Sequence, residues 1–303
     1  MKIAEARILR IAYLEDGDAG GWPVILSHGF PYDVHAFDEV VPFLVRAGAN
    51  VIRPYCRGFG PTRFRSDDTM RTGQQAARAL DILALADALE LERPMLGGFD
   101  WGGNASCVAA ALWPDRFSGL VSYAGYDVID VAGQRVPLDP QLERICWYQH
   151  LFQSERGRDG LRKNRREIAR MLWREWSPGW HFDEATFART AESFDNPDFV
   201  DVVIHCYRWS LGLADGNPAL ANYEDRLAQK PAIMIPAITL DGTQDPLKPG
   251  GTAHHAEAFA GPHEHVSVAV GHAFPAEAPG VFADAILRSR ILIGQSARAR
   301  RPV

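Results

Sequence analysis

The stretch that decides the fold is Gly98-Phe99-Asp100-Trp101-Gly102, which lies between a short apolar run and a segment rich in small residues. The apolar run at residues 94–98 predicts a strand, and residues 103–112 predict a helix. Small residues at both ends of the stretch allow the chain to turn sharply between these elements. The turn would lift the Asp100 side chain above the end of a sheet, in the pattern of a nucleophile elbow.

Strand and helix signals alternate on both sides of this segment. Buried strands are predicted by short apolar runs at residues 23–27, 51–54, 120–123, 233–240 and 266–270. Helices are predicted by amphipathic or alanine-rich patterns at residues 37–46, 70–91 and 278–293. This alternation favours an α/β fold, in which a mostly parallel sheet is flanked by helices on both faces.

The middle of the chain has a different pattern. Residues 127–228 contain no run typical of a buried strand, and prolines interrupt the helical segments in this range. The alternation of strands and helices resumes after Pro231. We therefore predict one core domain, formed by residues 1–126 and 229–303, with a helical insertion at residues 127–228.

The composition of the chain excludes several classes of protein. Of its 303 residues, 47% are hydrophobic and 23% are charged, which is typical of a folded globular protein. The net charge of −6 disfavours a general nucleic-acid binder. No segment has the pattern of a signal peptide or a membrane-spanning helix, so we expect a cytoplasmic protein. The four widely spaced cysteines predict free thiols and no metal site.

An aspartate at the centre of the elbow has a specific chemical consequence. A serine must lose a proton before it attacks, and it then forms an acyl-enzyme. A carboxylate is already ionised at neutral pH and forms an alkyl-enzyme ester with a saturated carbon. Asp100 therefore disfavours esterase, lipase and peptidase activity. An aspartate that only caps the following helix is the structural alternative.

A nucleophile of this kind needs a base and an acid further along the chain. Asp245 follows the strand predicted at 233–240, and His272 follows the strand predicted at 266–270. Both would lie at the same sheet edge as Asp100, where parallel sheets bind their ligands. His272 would activate water, and Asp245 would orient the imidazole. Other carboxylates that remain alternatives for this acid are Asp127, Asp130 and Asp241.

Hydrolysis of the ester requires an oxyanion hole made of two backbone N–H groups. One would come from Trp101, the residue after the nucleophile. The other would come from Phe30, in the loop His28-Gly29-Phe30-Pro31. Pro31 has no N–H group, so we expect it to fix the shape of this loop without donating.

Together these segments resemble the α/β-hydrolase superfamily. Within it they look like the aspartate-nucleophile branch, which contains epoxide hydrolases and haloalkane and haloacetate dehalogenases. The resemblance implies the α/β-hydrolase fold and identifies the helical insertion as the family's cap. It rests on His28-Gly29-Phe30-Pro31, Arg57-Gly58-Phe59-Gly60, Gly98-Phe99-Asp100-Trp101-Gly102-Gly103, Asp245, and the motif formed by Gly271, His272 and Pro275.

Two cap segments are similar to those of epoxide hydrolases. Residues 146–153, Cys-Trp-Tyr-Gln-His-Leu-Phe-Gln, resemble a Tyr-Gln-x-x-Phe-Gln segment of that group and place one tyrosine at Tyr148. The segment Cys206-Tyr207-Arg208 resembles the one with the second tyrosine. Because an alkoxide is a poor leaving group, two phenols that donate to the epoxide oxygen would assist ring opening. Each tyrosine could instead be a packing residue between cap and core.

The resemblance therefore implies an epoxide hydrolase that forms a vicinal diol. Asp100 would attack an epoxide carbon while Tyr148 and Tyr207 protonate the oxygen, and His272 with Asp245 would direct water at the ester. The expected partner is a small-molecule substrate, with no metal or other cofactor, and the chain would be a monomer or a homodimer. Residues expected to line the substrate pocket are His28, Pro31, Trp147 and Gln149.

A dehalogenase with the same triad is the first alternative. Trp101 could donate to a departing halide, but Asp-Trp-Gly-Gly also occurs in epoxide hydrolases. The haloalkane branch often has an asparagine where this chain has Phe30, and the haloacetate branch has arginines where this chain has Trp101 and Asn104. Trp147 and Tyr207 could still belong to a halide pocket. A binding protein that uses a hydrolase scaffold without turnover is the second alternative.

Overall fold

The computed structural model of the protein describes residues 1–299, so residues 300–303 of the predicted core domain lie outside the described part of the chain. Within the described part, the strands belong to one sheet. In chain order they are β1 (Lys2–Ala6), β2 (Leu9–Asp16), β3 (Trp22–Ser27), β4 (Ala49–Pro54), β5 (Arg63–Phe64), β6 (Met95–Gly98), β7 (Leu120–Tyr123), β8 (Ala237–Gly242) and β9 (His263–Val268).

The α-helices flank this sheet and fill the interval between β7 and β8. They are α1 (Val41–Arg46), α2 (Gln75–Ala88), α3 (Trp101–Leu112), α4 (Pro140–Ile145), α5 (Trp147–Leu151), α6 (Glu155–Trp176), α7 (Glu184–Ala191), α8 (Phe199–Ser210), α9 (Ala221–Ala228), α10 (Phe274–Glu277) and α11 (Pro279–Ala299). None of the helices in residues 1–299 has the length and apolar character needed to cross a bilayer.

The strand order is β1-β2-β4-β3-β6-β7-β8-β9, with β5 paired to β2. From β4 to β9 every neighbouring pair is parallel, whereas β2 pairs antiparallel with β1, β4 and β5. The β1–β2 hairpin was not among the elements predicted from the sequence. In its first strand the buried residues are the small Ala4 and Ala6, which give no alternation of large apolar side chains.

Several predicted elements have different boundaries in the structure. The helix predicted at 37–46 is divided into a 3₁₀ turn, Val34–Phe37, and helix α1. The strand predicted at 233–240 is β8, which begins only at Ala237. Pro231 and Pro236 cannot donate a backbone hydrogen bond, which explains why regular pairing begins after them.

The interval between β7 and β8 contains helices α4–α9 and no strand within the described residues. The division into core and cap at residues 127–228 stays a prediction, and these six helices lie within that range. Aromatic side chains join them to the sheet. The ring of Phe30, in the loop after β3, lies 6.3 Å from the Tyr148 ring, 6.2 Å from Phe152 and 5.7 Å from Tyr207. These rings belong to one buried apolar cluster.

Candidate active site

The site lies at the carboxyl ends of the parallel strands. Phe30 follows β3, Asp100 follows β6, Asp245 follows β8 and His272 follows β9. Because these strands run in the same direction, their ends meet at one edge of the sheet and bring residues far apart in sequence together.

Asp100 occupies a strained turn between β6 and α3. Its backbone has φ 52° and ψ −132°, a conformation that costs a non-glycine residue free energy. Neighbouring segments approach so closely that a Cβ atom on Gly102 would overlap the Ser27 carbonyl, and one on Gly29 would overlap Asp100 Oδ1. Glycines at these two positions therefore make the elbow and the nearby loop sterically compatible.

The two carboxylate oxygens of Asp100 have different surroundings. Oδ1 accepts hydrogen bonds from the backbone N–H of Phe30 at 2.7 Å and of Trp101 at 2.6 Å. Oδ2 lies 3.3 Å from Nε2 of His272. The two N–H groups predicted from sequence as an oxyanion hole thus converge on one atom. Oδ1 is thus held by two backbone donors, whereas Oδ2 lies next to the His272 imidazole.

His272 connects two carboxylates. Its Nδ1 lies 2.8 Å from Oδ2 of Asp245, on the side of the ring opposite Asp100. Burial alone lowers the pKa of His272, but the Asp245 and Asp100 carboxylates outweigh burial and raise it to about 10. The imidazole is therefore protonated at neutral pH.

Asp245 is held by donors on both oxygens. The Tyr123 hydroxyl donates to Oδ2 at 2.7 Å, and the Leu247 N–H donates to Oδ1 at 2.8 Å. Burial raises the pKa of Asp245, but His272 and these hydrogen bonds together keep it below its usual value. Asp245 is thus an ionised partner that orients the imidazole of His272.

The other carboxylates considered for this role lie elsewhere. Asp241 accepts hydrogen bonds from the backbone and hydroxyl of Thr252. Asp130 forms an ion pair with Lys230 at 2.8 Å. Asp127 lines the cavity next to the triad, and burial raises its pKa. The structure therefore brings Asp245, and not these three residues, into hydrogen-bond contact with His272.

The candidate tyrosines pack against each other above the sheet edge. The rings of Tyr148, on α5, and Tyr207, on α8, are 5.2 Å apart and nearly perpendicular. Both side chains are buried, and burial raises the pKa of each phenol well above its ordinary value. Both phenols are therefore protonated at neutral pH and able to donate.

A cavity of about 300 Å³ joins these groups. Its volume is in the range of small-molecule sites, and its wall combines apolar and polar side chains. The lining residues are Arg78, Asp100, Trp101, Asn104, Tyr123, Ala124, Asp127, Ile129, Gln134, Leu138, Leu142, Cys146, Tyr148, Gln149, Cys206, Tyr207, Ser210, Leu247, Lys248 and His272.

Of the four residues expected to line the pocket, Gln149 does so, and its amide donates to the Tyr148 hydroxyl at 3.1 Å. The other three lie outside this lining, which corrects the sequence expectation. Pro31 accepts a hydrogen bond from the Trp173 indole at 2.9 Å. The Trp147 indole donates to Glu175 at 3.1 Å.

His28 is the third residue outside the lining. Its Nε2 accepts the backbone N–H of Cys56 at 3.0 Å, and its Nδ1 lies 3.1 Å from the Gly29 carbonyl. Burial lowers the pKa of His28 to about 4, so its imidazole is neutral. His28 therefore supports the backbone next to Phe30 without facing the cavity.

Sequence reasoning missed part of the cavity wall. The Arg78 guanidinium, on α2, donates to Asn104 Oδ1 at 2.6 Å and to Cys206 Sγ at 2.9 Å, and it lies 5.0 Å from the Trp101 ring. An arginine within an alanine-rich buried helix face was a signal that could have indicated a polar contact. Tyr123 was also missed, because its position at the end of a buried strand is equally typical of core packing.

Comparison with known proteins identifies the family. Residues 23–279 match the profile of the alpha/beta hydrolase fold family, and the chain belongs to this family of enzymes. The predicted fold class is confirmed. Among residues 1–299, no group of three or more His, Cys, Asp or Glu side chains could hold a metal ion.

Relatives within this family carry the names that the resemblance suggested. Epoxide hydrolase B of Mycobacterium tuberculosis is 30% identical over 171 residues, which is 52% of this chain and 47% of that protein. The match thus spans about half the length of that relative. Epoxide hydrolase A of the same organism is 25% identical over 318 residues, covering 94% of this chain and 95% of that protein. A haloalkane dehalogenase of Psychrobacter cryohalolentis is 34% identical over 110 residues, 36% of each chain.

A solved structure is similar over nearly the whole chain. It is the crystal structure of a Klebsiella pneumoniae protein provisionally named an epoxide hydrolase. The two chains are 43% identical with a TM-score of 0.93, and the match covers 95% of this chain and 96% of the other. These findings confirm the resemblance to epoxide hydrolases and their dehalogenase relatives.

Proposed function

We propose that the protein is an epoxide hydrolase that converts a small-molecule epoxide to a vicinal diol through a covalent ester on Asp100. The observation that carries this proposal is one cavity in which Asp100 and two buried, protonated phenols, Tyr148 and Tyr207, meet. A nucleophile and proton donors are the two requirements for opening an epoxide. In this proposal, residues 127–228 are the cap that supplies the donors.

In the first step, Oδ2 of Asp100 attacks one epoxide carbon, and the bond from that carbon to the ring oxygen breaks. The ring oxygen takes a proton from Tyr148 or Tyr207 and becomes a hydroxyl group. The product is an alkyl ester, whose carbonyl oxygen is Oδ1. That oxygen already has two N–H donors, from Phe30 and Trp101.

Ester formation would also convert His272 into a base. The esterified Asp100 has lost its charge, which is one of the interactions that raise the pKa of His272. The imidazole can then release its proton and accept one from water. The water oxygen attacks the ester carbonyl, and the oxyanion forms on Oδ1. Collapse of this intermediate expels the diol. The proton that His272 released restores the tyrosine, one water proton goes to the leaving oxygen, and the other returns His272 to its protonated state.

A dehalogenase remains the second candidate because haloalkane dehalogenases are among the similar proteins. Halide release needs donors that stabilise the anion. The Trp147 indole already donates to Glu175, and the Phe30 side chain, buried among aromatic rings, has no donor. Neither side chain is therefore a free donor for a halide, which favours the epoxide hydrolase.

The test uses the variant His272→Gln, which lacks the base and should accumulate the ester. Epibromohydrin carries both an epoxide and a bromide, so it distinguishes the two reactions. We expect an adduct on the Asp100 peptide that keeps the bromine isotope doublet in a mass spectrum, because the ring has opened.

An adduct without bromine would mean halide displacement and would favour the dehalogenase. The double variant His272→Gln with Asp100→Asn is the control and should form no adduct. If neither epibromohydrin nor a panel of larger epoxides forms an adduct with the folded single variant, the proposed function is wrong.

A further inference from the structure

Buried polar atoms without a protein hydrogen-bond partner surround the loop that carries His272. Within the described residues, three of them are the Tyr32 hydroxyl, Nε1 of Trp176 and Oε1 of Glu277. The side chains of Tyr32 and Trp176 are 1% and 0% exposed. An unpaired polar atom is unfavourable in the interior, so each of these three atoms near the loop of His272 calls for a hydrogen-bond partner outside the protein.

The three side chains approach this loop from different segments. Tyr32 follows the loop of residues 28–31, and its ring lies 6.2 Å from the His272 ring. The Trp176 ring, at the end of α6, lies 5.1 Å from the His272 ring. The Trp176 carbonyl accepts the His272 N–H at 3.0 Å. Glu277 Oε2 accepts the Gly271 N–H at 3.1 Å. Trp176 and Glu277 thus each accept one backbone hydrogen bond from this loop. Nε1 of Trp176 and Oε1 of Glu277 have no hydrogen-bond partner in the protein.

The Tyr32 ring packs near the catalytic groups, 6.2 Å from the His272 ring. Its ring is stacked on Trp173, with centroids 5.1 Å apart, which fixes the orientation of the side chain. Burial raises the pKa of Tyr32, and the nearby charges of Asp100, Asp245 and Glu277 raise it further. The hydroxyl group therefore stays protonated, and it lies within the electrostatic range of the triad.

The unused atoms are chemically complementary to a water molecule. The Trp176 indole can only donate, Oε1 of Glu277 can accept, and the Tyr32 hydroxyl can do both. Buried waters in proteins are typically held by about three such groups. Neutral His272 would add a further acceptor, Nε2, on the side that faces Asp100.

We infer that Tyr32, Trp176 and Glu277 position the water molecule that His272 activates against the Asp100 ester. The inference rests on the proposed function, because it concerns the second half of that reaction. The held water transfers a proton to Nε2 of His272 while its oxygen bonds to the ester carbonyl carbon. The three residues change no bond themselves, so their effect is confined to the rate of ester hydrolysis.

The test separates the two half-reactions by rapid quench with an epoxide substrate. In Tyr32→Phe we expect the rate of ester formation to stay within about twofold of the wild type. The rate of ester hydrolysis should fall by at least about tenfold, the effect of losing one favourable hydrogen bond in the transition state. The ester should then accumulate on Asp100 and be visible by intact mass.

Trp176→Phe and Glu277→Gln test the same inference independently, and both should slow hydrolysis selectively. The matched control is Tyr13→Phe, which removes the hydroxyl group of a buried tyrosine on β2, outside the site. Its two rates should equal those of the wild type. Circular dichroism checks that every variant is folded.

Two results would overturn the inference. Hydrolysis at the wild-type rate in all three variants would mean that none of these groups holds the water. An equal loss in both half-reactions would indicate a general structural effect. If the wild type itself forms no ester on Asp100, the proposed function fails, and this result is distinguishable because it does not depend on the variants.

Discussion

The sheet edge and the helices between β7 and β8 supply the two halves of the site in different ways. At the sheet edge, Asp100 and His272 are fixed by strand ends and by backbone N–H groups. In the helices, Tyr148 and Tyr207 are placed by contacts between aromatic rings, including that of Phe30. The proposed nucleophile is thus positioned by local backbone geometry, whereas the proposed proton donors depend on how the helices pack on the sheet.

The largest effect is expected at the sheet edge, in Asp100→Asn. The amide oxygen can still accept from the Phe30 and Trp101 N–H groups, so the fold should be retained, but the neutral side chain is a poor nucleophile. We expect diol formation to fall by at least about 10³-fold, as for other residues that act as one catalytic unit. Product formation under single-turnover conditions measures this. Activity within tenfold of the wild type would contradict the assigned nucleophile.

The next largest effect should come from the helical half, in Tyr148→Phe combined with Tyr207→Phe. Loss of both donors should slow ester formation by about 10²- to 10⁴-fold, the usual contribution of general acid catalysis. Hydrolysis of the ester should change little, because the sheet edge performs that step. Trp147→Phe is a suitable control, since the Trp147 side chain lies beside Tyr148 but outside the cavity lining. An equal fall in the rates of ester formation and ester hydrolysis would contradict the separate roles of the helices and the sheet edge.

The pH dependence of the free energy of unfolding should report how strongly the carboxylates at the sheet edge hold the proton of His272. The pKa of His272 is raised from 6.5 to about 10, so the folded state binds this proton more tightly than the unfolded state. The resulting contribution to the free energy of unfolding is complete below pH 6.5 and is lost as the pH rises to about 10. Asp100→Asn removes one of the two carboxylates, so this loss should occur at lower pH.

Titration of the imidazole by NMR, together with urea unfolding at several pH values, measures this shift. An unchanged pKa of His272 in Asp100→Asn would show that Asp245 alone raises it.

The smallest effect is expected where the two regions are joined by a hydrogen bond. Trp173→Phe keeps an aromatic ring but removes the bond from the indole to the buried Pro31 carbonyl. We expect the free energy of unfolding to fall by about 1–3 kcal/mol, the cost of an unsatisfied buried acceptor. Turnover should fall by less than about tenfold. Urea unfolding measures the change in the free energy of unfolding.

Trp22→Phe is the matched control for this prediction. The Trp22 indole also donates to a backbone carbonyl, that of Ala47, but in a solvent-exposed setting. Water can replace this bond, so the loss should be smaller. Equal losses in the two variants would contradict the expected role of burial at Trp173.

The sequence predicted the parts of the molecule that depend on short segments. The strand–turn–helix pattern around Asp100 and the strand before His272 were enough to place both at one sheet edge. The sequence did not decide which carboxylate is the partner of His272. Asp241 lies within β8 and Asp245 lies just after it, and where β8 ends depends on its pairing with β7 and β9.

Features set by tertiary packing were not predictable. His28 lies in the same loop as Phe30, yet its side chain is turned towards Cys56. Arg78 reaches the cavity from a helix far from any motif, and only the fold brings its guanidinium over Trp101. Side-chain direction and contacts between distant elements decide these cases, and neither has a signature in local sequence.

The unequal surroundings of the two Asp100 oxygens have a consequence for the atoms that the protein keeps. In the proposed cycle Oδ2 leaves with the diol, and an oxygen from the solvent takes its place, while Oδ1 stays between two N–H groups. The first diol made by each molecule therefore contains an oxygen atom of the polypeptide, and every later diol contains solvent oxygen. In heavy-oxygen water the Asp100 carboxylate would therefore replace one oxygen atom in each turnover and retain the other throughout.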